Sequence, residues 1–563
     1  MTNARPNSLP EVEVDVVAVG AGPGGLIAAL RSTSRGYQSL IVEKSPYVGG
    51  TSAKSFGALW FADNPMQRAL GLKDSIAEGL DYLQAAVGDA GPASTRTRQE
   101  AYLTGGQCML SYLESIGLRF IIDHYPDYYP ELVGSKADGR MLNSPLFDAR
   151  ALGDWQGWIR QPEHFPLGVL MGSIGDVKKV AYGMTSVKAA AVATGMLLSS
   201  YWTKLRGIKP LTLGSAYIGQ LLLAAQQMSV PIRLNTKMEG FLVDDGNVVG
   251  IIAHTGLGSM KIRARRGVLL DCGGFAHNQQ LRDKFGPHPA STAWSLTVAE
   301  DVGDAYTHAT DLGAAVDNLD EAYWFPLLVG ATGQPELFFA ERHQPHTMIV
   351  DWSGARFTNE ASNYMAVGRA MYHRESSVTA VPAWFILDSW HRNRFSLGSC
   401  LPRVQPTAWI KSGPLKKADS IGALADMCGI DRHGLESQVA RFNDMAHRGV
   451  DDDFHRGESA YDRVYGDPSV KPNPCLGPID DPPYYAVQVV PGDLGMAGGL
   501  LTNEHGAVLS TDGTVINGLY ACGTAAASVM GRVYAGGGIS LGQSSAFGFL
   551  AAEHMCSSGA DGM

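Results

Sequence analysis

Between Val14 and Val19 the chain reads VDVVAV, a near-continuous apolar run. Such a run marks a strand buried on both faces, as in a parallel sheet. Gly20 ends it, Leu26 to Ser32 takes a helical pattern, and SLIVEK forms a second apolar strand that closes on Glu43. Two later segments, RGVLLDCGGF (Arg266–Phe275) and INGLYACGT (Ile516–Thr524), repeat the form of a strand running into glycine. From about residue 325 the pattern changes. MIVDWSGARFTNEASNYM reads as a hairpin turning at Ser353–Gly354, then a polar, helix-prone run. Strand–helix–strand alternation predicts an α/β protein, and 563 residues exceed one ordinary core, so two or more domains are expected.

The first turn carries chemistry. Gly20, Gly22 and Gly25 stand at G-x-G-x-x-G spacing with Gly24 among them, and Glu43 follows 23 residues after Gly20. In that pattern the first glycine makes the turn and the second lets backbone approach a pyrophosphate. The third lets helix pack on strand, while the helix N-terminus supplies N–H groups and the acid holds ribose hydroxyls. The loop KSPYVGGTSAKSFGALW adds Gly49, Gly50, Thr51, Ser52 and Gly57, small residues that suit a second phosphate or a flavin ring. With the two strand–glycine segments, it resembles the glutathione-reductase-type FAD fold.

That resemblance implies FAD as cofactor and a discontinuous Rossmann-like FAD domain, residues 1–324 and 494–563, around an inserted α+β capping domain, residues 325–493. Closure of the two would exclude water. Beyond the residues named above, it implies cofactor contacts from Lys44, Gly273, Gly274, Asp304, Gly523, Thr524, Ser540 and Leu541.

Composition narrows the partners. The net charge of -10, with no long basic run, argues against a nucleic-acid partner. The 67 glycines, among 45% hydrophobic and 18% charged residues, indicate tight turns and close backbone–ligand contacts in a globular chain. Seven scattered cysteines without a CxxC pair suit a reducing compartment and offer no metal-ligand spacing, so no metal is expected. The run Asp451–Asp452–Asp453 reads as a solvated turn, since three adjacent carboxylates do not converge easily on one ion. The first residues hold no signal-like apolar core, and no window offers the roughly 20 clean apolar residues of a spanning helix. A cytoplasmic protein is expected.

The segments VEKSPYVGGTSA, YPDYYPE, GARFTNEASNYMAVGRAM, DDDFHRGESAYD, VPGDLGMAGGL and GRVYAGGGISLG, spread along the whole chain, resemble the 3-ketosteroid Δ1-dehydrogenase family, within the wider fumarate-reductase-like flavoproteins. The resemblance implies 1,2-dehydrogenation of a 3-oxo steroid or sterol, with an external electron acceptor. The family's Tyr-x-x-x-Gly falls on Tyr534 and Gly538, which would hold the steroid 3-keto oxygen. Its proton-abstracting tyrosine falls on Tyr364, and its supporting tyrosine on Tyr128, with neighbouring Tyr129 the rival for that place. An ordinary phenol has a pKa of roughly 10, so this support must favour the phenolate. The family often carries YPGPG where this chain has YAGGG; Ala535 and Gly537 in place of prolines predict a looser loop. Three alternatives stay open: a ketosteroid Δ4-dehydrogenase, a fumarate-reductase-like ene reductase, and a catalytically silent sterol-binding flavoprotein. The fumarate branch carries HGxNRLGG where this chain has tyrosine and glycines, which disfavours a dianionic substrate. A monomer is favoured.

One stretch stands outside this scheme. From Leu167 to Pro210, Ala189 to Thr203 is 15 residues without a charge, flanked by Lys178, Lys179, Lys188, Lys204, Arg206 and Lys209 against a single acid, Asp176. It is too short to span a bilayer comfortably. A helix lying on an anionic membrane surface, with Tyr201 and Trp202 at the boundary, and a helix packed on the protein are both open readings.

Overall fold

The computed structural model describes residues 9–88, 90–160, 173, 175, 176, 179, 182, 187–404 and 407–557, with only the backbone of 187–189. Two sheets dominate. In the first, the strand Glu11–Val19 sits between Gly258–Leu270 and Ser39–Val42, parallel to both. Ile232–Arg233 extends the sheet beyond Ser39–Val42, and Val515–Ala521 pairs parallel with Gly258–Leu270 on the other side. Val16 to Leu30 is buried at every position but Gly22, which is why this stretch lacks the polar alternation of a half-exposed strand.

The first helix, Pro23–Ser34, lies against the C-terminal helix Ile539–Ser557. Gly24 and Gly548 make that approach: a Cβ on Gly548 would stand 2.5 Å from the Gly24 carbonyl oxygen. The N- and C-terminal segments therefore build one layered unit, with the α/β character expected from the sequence.

The second sheet is antiparallel. Its strands run in the order Pro335–Leu337, Ala322–Val329, Tyr484–Met496, Ala383–Leu387, Thr347–Val350, with Leu415–Ala418 also on Tyr484–Met496. The hairpin turn at Ser353–Gly354 is present: Gly354 takes φ +81 and its N–H donates to Asp351 O at 3.0 Å. Helix Tyr364–Glu375 crosses this sheet so closely that a Cβ on Gly368 would meet Trp324 Cβ at 2.4 Å.

The acidic run departs from the sequence expectation. Asp451 is fully buried, and its carboxylate accepts from Arg356 at 2.9 and 3.1 Å. Arg356 also holds Glu360 at 2.8 Å, and Arg456 joins them at 3.1 Å from Glu360. Only Asp452 and Asp453 face solvent, paired with Arg448 and Arg441. The run is one inward anchor and two surface acids, which neighbouring sequence does not distinguish.

Much of 167–186 lies outside the described residues. Helix Val187–Leu205 leaves Leu198 (66%), Tyr201 (69%), Trp202 (57%) and Leu205 (68%) exposed. No described helix is long and apolar enough to cross a membrane.

Candidate active site

Three phenols from distant parts of the chain meet in one cavity. The rings of Tyr364 and Tyr534 lie 5.2 Å apart, those of Tyr128 and Tyr364 5.5 Å, and those of Tyr128 and Tyr534 5.8 Å. The Tyr128 hydroxyl donates to that of Tyr364 at 3.5 Å. Tyr129 turns away toward Asn363, so geometry separates the two neighbours as the family register did.

Each phenol is positioned by its own anchor. Tyr364 is the first residue of its helix, and the Asn363 side chain caps that helix by accepting from Ala366 N–H at 3.0 Å. Buried Arg342 grips the preceding turn, donating to Glu360 O at 2.8 Å and to Ser362 O. Tyr534 and Gly538 belong to the loop before the C-terminal helix. That loop is not loose. Its Ala535 carbonyl accepts from Tyr82 Oη at 2.5 Å and from Tyr128 N–H at 3.1 Å. A Cβ on Gly536 would strike Trp60 at 2.4 Å, and one on Gly538, at φ +102, would strike Ala58 backbone at 2.5 Å. Tight packing supplies the rigidity that the missing prolines would have given.

The Tyr534 hydroxyl lies 2.9 Å from Ser540 Oγ, so Ser540 orients the phenol while still lining the cavity. Burial pushes the pKa values of Tyr128 and Tyr364 well above the ordinary phenol value, and nearby phenols add to the shift. Both are neutral at rest.

The same cavity reaches the glycine turn. Of the residues assigned to cofactor binding, Gly20, Gly22, Glu43, Lys44, Gly50, Thr51, Ser52, Gly57, Asp304 and Gly273 line it, with Gly523, Thr524, Ser540 and Leu541. Gly24, Gly25 and Gly274 do not. Gly24 faces Ser544, Gly25 donates to Asp271 at 2.8 Å, and Gly274 packs on Met496 and Thr524. These three glycines serve close packing, Gly24 and Gly25 on the helix Pro23–Ser34 and Gly274 in the loop after Gly258–Leu270. Lys44 Nζ pairs with Asp304 at 2.5 Å. Glu43 accepts from Ala21 N–H at 2.9 Å and Ser45 N–H at 2.8 Å, which ties the carboxylate to the turn and leaves further lone pairs for hydroxyls.

Sequence reasoning missed Asp271 and Asp301. Asp271 accepts from Gly25 and from Ser544 Oγ at 3.1 Å, and burial pushes its pKa up to about 7. Burial, with Asp493 nearby, does the same for Asp301. An acid directly after the buried strand VLL was the available signal for Asp271. The apolar wall of Phe56, Leu337, Phe325, Phe339 and Leu494 was also missed, since such residues look like core.

The residues fit a flavin dinucleotide. A Cβ on Gly20 would stand 2.2 Å from Asp271 O, so only glycine lets the turn sit this close to the Asp271 backbone at the edge of the cavity. In the wall, Glu300 Oε2 and Asp301 Oδ1 are buried acceptors without a protein donor, suited to a ligand rich in O–H and N–H groups.

The FAD binding domain family matches residues 15–541. The chain belongs to it and is a flavoprotein. It is 38% identical to the 3-oxosteroid 1-dehydrogenase of Mycobacterium tuberculosis, over 96% of this chain and 98% of that protein. The crystal structure of 3-ketosteroid Δ1-dehydrogenase from Sterolibacterium denitrificans, in complex with 1,4-androstadiene-3,17-dione, matches with TM-score 0.90 and 37% identity, covering 97% of this chain and 100% of that one. Within the flavoproteins, then, the chain is a member of the 3-oxosteroid 1-dehydrogenase family. A 3-ketosteroid Δ4-(5α)-dehydrogenase from Rhodococcus jostii RHA1 shares the fold at TM-score 0.67 and 20% identity, covering 98% of this chain and 100% of that one.

Proposed function

We propose that the protein catalyses 1,2-dehydrogenation of a 3-oxo steroid. The observation that carries this reading is the triangle of buried phenols at one end of a cavity whose other end is built for a flavin dinucleotide. The Tyr534 O–H and the Gly538 N–H hold the 3-keto oxygen, two neutral donors aimed at an oxygen that gains charge as the ketone enolises. This acidifies carbon 2. Tyr364 takes one proton from it while handing its own phenolic proton to Tyr128, whose hydroxyl lies in contact with it. When bound, FAD supplies the two-electron acceptor for the hydride leaving carbon 1, and an external acceptor later removes those electrons. The apolar wall of Phe325, Phe339 and Leu494 excludes water and suits a polycyclic hydrocarbon.

Among the described residues lining the cavity there is no arginine and no histidine, which disfavours a dicarboxylate substrate. The experiment is anaerobic mixing of purified holoprotein with androst-4-ene-3,17-dione and with cholest-4-en-3-one. Loss of flavin absorbance with a 1,4-diene product supports the reading. No bleaching with either steroid overturns it, and a double bond formed elsewhere assigns Δ4 chemistry.

The exposed helix favours a second element of the reading, peripheral docking on the cytoplasmic face of a membrane. Leu197, Leu198, Tyr201, Trp202 and Leu205 form one stripe at helical period, and Lys204 and Arg206 flank it. Basic flanks beside an apolar stripe, on a chain of net charge -10, fit anionic lipid. Lipid is also where sterols with an alkyl side chain reside. The seven free thiols agree with a reducing compartment. Sedimentation with phosphatidylserine vesicles tests it: the native chain pellets and Leu198→Asp/Trp202→Asp does not, whereas a native chain left in the supernatant ends this element.

A further inference from the structure

Behind Tyr128, away from the cavity, lies a second polar cluster that the reaction above does not use. The Tyr461 ring stands 4.7 Å from that of Tyr128, Tyr125 6.0 Å from Tyr461 and 6.3 Å from Tyr465, and His343 5.3 Å from Tyr465. All are buried, and Arg342 and His343 are fully so. The hydroxyls of Tyr125, Tyr461 and Tyr465, His343 Nε2 and Arg342 Nη2 meet no partner at full hydrogen-bond geometry, yet the side chains act on one another as hydrogen-bond neighbours, Tyr125 with both Tyr461 and Tyr465 and Tyr461 with Arg342. Five such groups in one place form a chain of loosely paired donors and acceptors that can change partners as a proton passes.

The chemistry of the five is complementary. His343 Nδ1 lies 3.0 Å from Asp462 O, so Nδ1 carries the proton and Nε2 is left as an acceptor. Burial and the Arg342 charge keep that imidazole neutral. The Arg342 guanidinium is a fixed donor whose charge favours ionisation of Tyr461. The phenols both donate and accept. Beyond Tyr465 comes Asp123, near enough for its charge to act on that phenol, and the next residue, His124, is exposed.

We propose that this cluster is the proton exit of the active site, with Tyr461 the positioning residue through which Tyr128 reaches solvent. The inference rests on the reading of Tyr364 as the base. Each turnover breaks one C2–H bond and leaves its electron pair on the substrate as enolate; Tyr364 gains that proton as its own phenolic proton passes to Tyr128. A base that is neutral at rest must shed one proton before or as it takes another, and Tyr128, itself neutral, can receive that proton only as it passes its own on. The Tyr125–Tyr461–Tyr465 cluster moves that proton outward along hydrogen bonds, so charge never rests in the apolar cavity.

The test is Tyr461→Phe holoenzyme, with Tyr465→Phe in its place should the first variant lose its flavin. Anaerobic flavin bleaching is measured with androst-4-ene-3,17-dione, unlabelled and deuterated at carbon 1, in H2O and D2O. The relay predicts bleaching slowed about tenfold or more, half-saturation little changed, a larger solvent isotope effect and a carbon-1 effect falling toward unity. Proton release has then become slower than hydride loss. Unchanged bleaching overturns the proposal. So does slower bleaching with an undiminished carbon-1 effect, which means distorted chemistry and a merely structural role. A native enzyme that never bleaches with steroid removes the functional reading itself, an outcome distinct from either.

Discussion

Replacing Tyr534 with phenylalanine removes a single oxygen. The aromatic contacts at 5.2, 5.4 and 5.8 Å to Tyr364, Tyr323 and Tyr128 remain, so the loop and the cavity keep their shape. The well-formed side-chain hydrogen bond lost is that with Ser540 Oγ at 2.9 Å, the Tyr364 hydroxyl being a looser neighbour. Folding therefore loses about 0.5–1.5 kcal/mol, the net worth of one hydrogen bond. Catalysis loses more. A donor aimed at a developing oxyanion in a dry site is worth about 2.7–4 kcal/mol, or about 10²–10³ in rate. The remaining Gly538 N–H retains part of the stabilisation. Ser540→Ala is the control: it removes the group that orients the phenol and not the donor, so its loss is about tenfold or less. Stopped-flow bleaching under anaerobic conditions, with the flavin-to-protein ratio recorded for each variant, measures both. A Tyr534→Phe enzyme that keeps its flavin and bleaches within about tenfold of the native rate would show that no oxyanion donor acts at this position.

Gly20→Ala places a Cβ 2.2 Å from Asp271 O at φ +105, so the turn shifts and flavin occupancy falls, which the absorbance spectrum of the purified variant reports. Arg356→Met leaves buried Asp451 without its cation and Glu360 with Arg456 alone, costing about 3–5 kcal/mol in denaturant unfolding; an unchanged midpoint would contradict the cluster's role. Glu360 and Asp451 are both held below their ordinary values, chiefly because Arg356 outweighs burial. The stability they contribute is present above about pH 4 and is lost as pH falls through their depressed folded values, visible as an acid-side drop in melting temperature. For Tyr364 the shift is upward, so its phenolate fraction grows with pH, and bleaching should keep rising past pH of about 10, whereas a plateau near neutrality would point to another base.

The sequence exposes the backbone of this design better than its walls. Gly20 and Gly22 are legible because a turn that admits a pyrophosphate leaves few other choices. Gly24 and Gly25 carry the same pattern but face Ser544 and the Gly20 carbonyl. Spacing cannot tell a glycine on the cavity wall from one packed behind it, and Gly20, which lines the cavity, also packs on the Asp271 backbone. Asp451 shows the same limit for charge, since burial depends on Arg356, 95 positions away. Ser540 reads as a cofactor contact until the Tyr534 hydroxyl is found beside it. Phe325 and Phe339 are invisible as site residues, because a cavity wall and a core have the same composition.

The choice of phenols follows from the cavity itself. A carboxylate base facing this apolar wall would be desolvated, and its pKa would climb as those of Asp271 and Asp301 do, to about 7. It would then rest protonated for much of the time and still leave charge against hydrocarbon when ionised. A phenol is neutral at rest and little penalised by burial. As it takes the carbon-2 proton and passes its own on, it ends neutral, and the negative charge goes to the substrate oxygen, where two donors are already aimed. The ionisable groups Lys44, Asp304 and Glu43 are held at the dinucleotide end of the same cavity, paired or hydrogen-bonded to backbone. Electrons and protons then leave in opposite directions, the electrons where charge is tolerated and the proton through groups that carry it only in passing. That separation is why Tyr128 needs somewhere to send its proton, and why the polar cluster behind it belongs to the reaction.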